Sequence, residues 1–211
     1  MREARMRLPG RRALLLAPVV LAACAAETDP APLPPLVEGY AHLTPLRLNV
    51  REIAITLPEV GPARRVDPPA PLDPLAEMER MARERLFAAG LSGRARLAIE
   101  AASLSRRPLT EAGFFTPATE QVSCVLRCRL EVFRGTENEP AGFAAAEVRR
   151  MATGPRDGSE ARRAAETVRR AMEDMNVELE FQIRRNLGAF LVTGAAGPAV
   201  QAEPLPGGQG F

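Results

Sequence analysis

The chain has no lysine and no tryptophan, one tyrosine (Tyr40), one histidine (His42) and three cysteines among 211 residues. One histidine leaves little material for a histidine-built metal site or a histidine-based catalytic centre. No serine-centred nucleophile motif, phosphate loop or metal-binding histidine pair is present. Beyond residue 23 no run approaches 18 consecutive apolar residues, so the later sequence offers no transmembrane helix. A basic surface is missing as well. The 28 arginines stand against 26 acids, and five of the arginines but only one acid precede residue 24, leaving 23 basic and 25 acidic residues beyond it. A segment of that balance has no electrostatic footprint for nucleic acid.

What is present begins at the N-terminus. Arginines run through Arg12, and Ala13–Ala23 is an apolar stretch of 11 residues ending in small side chains. A positive flank, a short apolar segment and small residues make a secretory signal. Eleven residues span about 16 Å as a helix, half a hydrocarbon core, which is too short for a lasting span. The tetrad Leu21-Ala22-Ala23-Cys24 resembles the lipobox of bacterial lipoproteins. That resemblance implies diacylglycerol on the Cys24 thiol, cleavage after residue 23 and acylation of the new amino terminus. Two or three acyl chains, at about 0.8 kcal/mol per buried CH₂, make such an anchor stable where a single chain does not. Ala25 in place of an aspartate implies, by the same resemblance, the outer membrane over the inner. Arg11-Arg12 resembles part of a twin-arginine export signal, with the rest of that motif missing.

Residues 24–44 carry prolines at 30, 32, 34 and 35 and read as an extended tether. Leu46–Val50 alternates as a strand, then the phase slips to Ile53, Ile55 and Leu57, which a bulge near Arg51-Glu52 accounts for. Asp73-Pro74 opens a helix whose apolar spacing runs through Leu75, Met78, Ala82, Leu86 and Ala89 to a stop at Gly90. Arg94–Leu104 follows as a strand with Ala95, Leu97, Ile99 and Ala101 on one side, then a loop-like stretch over 106–119. Val122, Cys124, Leu126, Cys128, Leu130 and Val132 make the clearest strand. Phe143–Ala152 is a fourth. Asp157-Gly158-Ser159-Glu160 resembles a capping box ahead of a helix of about 30 residues, apolar from Ala161 to Phe190. The expectation is an α+β fold: a single domain over 45–191 in the order β-α-β-β-β-α, with about four mostly antiparallel strands, two helices packed on one face, the C-terminal one long, and a Gly/Pro-rich tail over 192–211.

Among side chains with chemistry, Cys124 and Cys128 lie four residues apart on one strand, about 13 Å, whereas a disulfide needs Cα atoms within about 7 Å. Two small buried core residues are the favoured reading over a bridge. His42 reads as a solvated loop residue. Glu100, Glu131 and Glu147 fall on strand faces that alternation turns to solvent, without a third positioning group. Phe114-Phe115, in a loop, either dock a partner or dip into a membrane surface, or fold under and cap the core. Mixed charge on the last helix, such as Arg162-Arg163 among Glu160 and Glu166, reads as its solvated face.

Leu46–Ile53, Ala82–Ala95 and Met175–Glu180 resemble an uncharacterised alphaproteobacterial lipoprotein family. More distantly, the layout of 44–191 is similar to the auxiliary lipoprotein of ABC-type envelope lipid transporters. These resemblances imply a non-catalytic accessory role, which with the membrane anchor at Cys24 and the tether gives an expected adaptor with an envelope protein partner. No cofactor is expected, the scarcity of histidine and cysteine argues against a metal, and the charge balance argues against nucleic acid. The alternative is a periplasmic carrier holding a lipid or other small apolar ligand between sheet and helix.

Overall fold

The computed structural model describes residues 39–114, 117–135 and 138–192. Their order is β1 (Leu46–Leu48), β2 (Glu52–Thr56), α1 (Pro74–Arg85), β3 (Leu86–Ala88), β4 (Arg94–Thr110), β5 (Thr119–Phe133), β6 (Gly142–Pro155) and α2 (Glu160–Asn186). The main sheet runs β2-β4-β5-β6, with β2 parallel to β4 and the other neighbours antiparallel. Helix α1 lies against β4, α2 against β5 and β6, and the helices touch each other. One sheet face and both helices thus enclose a core of Leu97, Leu126, Leu130, Met78, Met175 and their neighbours. This is the α+β architecture expected.

The phase slip after Val50 is a corner, not a bulge. Leu46, Leu48 and Val50 are buried, and β1 pairs in parallel with β3 as a separate small sheet before the chain enters β2. Pairing continues through both corners, with Ala89 N–H on Leu48 O, Gly90 N–H on Val50 O and Arg51 N–H on Gly93 O. The corner needs glycine at 90, since a methyl there would come within 2.5 Å of the Asn49 carbonyl carbon. Helix α1 begins where expected, Asp73 accepting the Leu75 N–H at 2.9 Å, but stops at Arg85 instead of running to Gly90. Leu86 fits the helical spacing and the β1 partner equally well; ladder bonds to β1 decide the contest.

In β4 the alternation is shifted by a register break between Ile99 and Ala101. Ala95, Leu97 and Ile99 are inward as expected, but from there Ala102 and Leu104 take the core positions. The strand also extends through Pro108 to Thr110, where a loop was expected. Strand β2 pairs only as far as Ala98 and the Val66 bridge reaches only Leu104. Pro108 therefore sits at an edge and beside a second register break, the two settings in which a strand tolerates proline. The N-cap of α2 is Ser159; Asp157 instead accepts the Ser159 N–H and hydroxyl as a turn. The buried stripe Ala164, Val168, Met172, Met175, Leu179, Ile183 and Leu187 is as the periodicity requires.

Two edges of the expected organisation dock onto this domain. Tyr40, at the end of the tether segment, packs against the core, and Leu191 bridges to Leu48 while the Val192 N–H bonds Arg47 O at 2.8 Å.

Candidate functional site

Of the residues singled out by sequence, Cys24 and Phe115 lie outside the described residues. Phe114 is described and 95% exposed, in the 111–118 connection between β4 and β5. His42 is exposed. Cys124 and Cys128 are free and buried, with burial pushing each thiol up to about 12. A thiol so far from ionising is no nucleophile at neutral pH, and Cys128 Sγ rests 3.8 Å from Met175 Sδ in the core.

The most elaborate polar cluster was not anticipated. The break at Ile99–Ala101 turns Arg106 onto the core face, beyond Leu104, and β5 carries Glu120 on the same face, in phase with Val122. Glu120 is 6% exposed and accepts from Arg106 Nη1 and, at 3.5 Å, from Arg163 Nη1. Arg106 spends its other donors on the carbonyls of Pro69 (2.6 Å), Glu160 (3.1 Å) and Asp67 (3.4 Å). Arg163 lies flat across β6 because residue 154 is glycine; a Cβ there would collide with its guanidinium. Above them opens a cleft of about 390 Å³ lined by Asp67, Pro68, Pro69, Glu120 and Arg156. Asp67, Arg106, Glu120 and Arg163 are consumed holding the 65–69 segment, two strands and the start of α2 together, so the cluster is a clasp. Sequence did contain its signal: an acid in the buried phase of a strand demands a buried cation.

Among the described residues the opposite face of the sheet carries no helix. Arg96 and Arg129 both donate to Glu131, at 2.6 and 3.0 Å, while Arg94 and Arg96 stand over the Phe133 ring at 4.9 and 5.7 Å. Arg129 lies 3.7 Å from the Phe143 centroid, and Arg127 pairs with Glu147. Burial alone would raise the Glu131 carboxyl, but the hydrogen bonds from Arg96 and Arg129 hold it below the usual carboxylate range; Arg127 does the same for Glu147. Carboxylates held ionised this firmly are poor proton donors. Among the described residues no group of three His, Cys, Asp or Glu is placed to hold a metal.

A third cluster fixes residues 39–44 to α1. The Tyr40 N–H donates to Glu84 and its hydroxyl to Glu77 at 2.9 Å. Burial, then the Glu77 bond, raises the phenol well above its ordinary value of 10. A folded pKa above the unfolded one means stability that is complete below about pH 10 and drains away as pH rises further. Since Tyr40 is the only tyrosine, alkaline titration of phenolate absorbance is expected to show no ionisation near pH 10 in the folded protein and a normal midpoint in denaturant.

No helix of the described residues is long and apolar enough to cross a membrane. No family model matches the chain, and no curated protein matches it. Among solved structures, it is similar to a minor lipoprotein from Acinetobacter baumannii, at 10% identity and a TM-score of 0.35 over 70% of this chain and 99% of that one. It is also similar to the rare lipoprotein B from Shewanella oneidensis, at 15% identity and a TM-score of 0.28 over 61% and 98%. Overlaps this loose carry no argument for function.

Proposed function

We propose that the protein is a non-enzymatic lipoprotein of the cell envelope, held by lipid on Cys24 and facing the periplasm, that serves as an accessory or adaptor subunit of an envelope transport or assembly complex. The observation that carries this reading is Leu21-Ala22-Ala23-Cys24 directly behind an 11-residue apolar segment. The domain supports it in a simple way: among the described residues its helices cover one sheet face and leave the other, set with arginine and phenylalanine, open to a binding partner. The naming of a transport complex rests on the distant likeness of 44–191 to the auxiliary lipoproteins of ABC-type transporters, and the outer membrane on Ala25. A carrier role has less support, because the space between sheet and helices is filled by Leu97, Leu126, Leu130 and Met175.

Phe114 belongs to the partner-binding part of the proposal, together with Phe115. Strand β4 runs 17 residues from Arg94 to Thr110, about 50 Å, so the loop bearing Phe114 stands at the opposite end from the corner where residues 39–48 enter. That separation favours a protein partner over the membrane for this loop.

Intact mass of the membrane-extracted protein tests the anchor. The expected species is acylated 24–211, absent in Cys24→Ala, which should lose membrane retention altogether; an unmodified full-length chain would end the proposal. Crosslinking in intact envelopes should then capture one defined envelope protein, and recovery of abundant porins alone would remove the adaptor role.

A further inference from the structure

We propose that β6 is a self-pairing edge: two copies of the chain join antiparallel along Gly142–Gly154, about a twofold axis at Val148, into one continuous eight-stranded sheet.

The main sheet ends at β6, a strand of 14 residues, whereas the other edge, β2, has five. Natural edges of such length are blunted by proline, a bulge, charged side chains (lysine above all) or an inward-pointing charge. Of these β6 carries Glu147, Arg149 and Arg150, and the inward Arg150 is tied to Asp174 of its own chain. Here no proline occurs before Pro155, the chain has no lysine, and the β5–β6 register runs without a shift from Thr119↔Pro155 to Val132↔Gly142. Phe143 and Met151 are 48% and 59% exposed on this strand.

The hydrogen-bonding phase selects the partner. Arg156 N–H bonds Ala118 O at 2.8 Å, and hydrogen-bonded pairs recur at every second residue of an antiparallel ladder. Even-numbered residues of β6 therefore turn their N–H and C=O toward β5, and odd-numbered residues turn theirs outward. A twofold axis at a residue always pairs odd with odd, so the outward groups reciprocate. The axis at Val148 is the one that uses the whole strand, Gly142 meeting Gly154. It sets Glu147 opposite Arg149 of the second copy and Arg149 opposite its Glu147, Ala145 opposite Met151, and Phe143 opposite Thr153. An axis one residue earlier would oppose two glutamates, and one residue later two arginines, both destabilising. Among the described residues Arg149 makes no salt bridge, although its charge reaches Glu147 of its own strand, and Glu147 is paired with Arg127.

Helix α2 points the same way. Asp174 pairs with Arg150 of β6, which fixes the side of α2 nearest the edge. Phe181, two helical turns on, shares that side and is 52% exposed. Seven residues are about 10 Å along a helix and about three residues along a strand, which brings Phe181 back to the level of Val148, at the axis.

The test uses the full chain extracted from membranes. Across a non-hydrogen-bonded antiparallel pair the Cα atoms lie about 4.5 Å apart, within disulfide range. Val148→Cys is thus expected to give an oxidised band of twice the chain mass, and Thr153→Cys, whose mate is Phe143, none. In sedimentation equilibrium, Glu147→Arg should weaken the dimer at least about tenfold, and adding Arg149→Glu should restore it. A monomer at every concentration, equal crosslinking at 148 and 153, or a crosslinked product containing a different polypeptide would each overturn the proposal.

Discussion

Arg106→Ala is expected to lower folding stability by about 3 kcal/mol, the low end for removing one partner of a buried ion pair. Its side chain is 10% exposed and that of Glu120 8%, so the change would strand a carboxylate inside the protein. Arg163, at 3.5 Å from Glu120, keeps part of the compensation and sets the low figure. The loss has a second component: the carbonyls of Pro69, Glu160 and Asp67 lose their common donor. Arg106→Met combined with Glu120→Met should recover the ion-pair part of the loss, because an apolar pair needs no partner, but not the part that comes from the carbonyls. Urea unfolding of both variants measures this. Equal stability of Arg106→Ala and the parent would show that the clasp is solvated and holds nothing.

Arg85→Ala is expected to cost about 2–3 kcal/mol and to free a segment. Arg85 is 3% exposed and donates to Glu180 at 2.5 Å, to Asn176 Oδ1 at 3.1 Å and to the Thr44 carbonyl at 3.0 Å. Glu180 can fall back on Arg184, 2.9 Å away, and is partly exposed, which makes the loss smaller than at Arg106. The Thr44 bond is the distinctive part, since it pins the stretch that carries Tyr40. In the variant the Tyr40 phenol should titrate close to pH 10, because neither burial nor Glu77 would hold it protonated. Unfolding and phenol titration thus read two consequences of one substitution. A titration unchanged while stability falls would mean that Tyr40 is held by Glu77 and Glu84 alone.

The parts of this fold legible in sequence are those where one periodicity had no competitor. Strand β5 shows six successive inward residues from Val122 to Val132, and α2 shows three- and four-residue spacing over its whole length. Leu86 obeyed two periods at once, and only its pairing with Leu46 decides that α1 ends before it. The β1–β2 corner and the shift after Ile99 are likewise set by partners distant in sequence, so a local reading assigns a bulge to the first and misses the second. The inert thiols could be read from their place in the β5 alternation. The clasp could not be read whole: Glu120 gave notice in the same alternation, but Arg106 was hidden by the register break that turns it inward, and Arg163 by a row of solvated arginines.

Where the chain enters and leaves the domain decides how it bears load. Val192 N–H is bonded to Arg47 O and Asn49 N–H to Phe190 O, so the last described residues run antiparallel to β1, and both strands exit at the same end. Tension between the entering and departing segments would load the Tyr40 and Thr44 contacts with α1 and open these bonds one at a time, as a zipper parts, before it pulled on the ladders of β4, β5 and β6. The corner would yield gently while the main sheet stayed whole, making the small sheet a mechanical fuse for the large one.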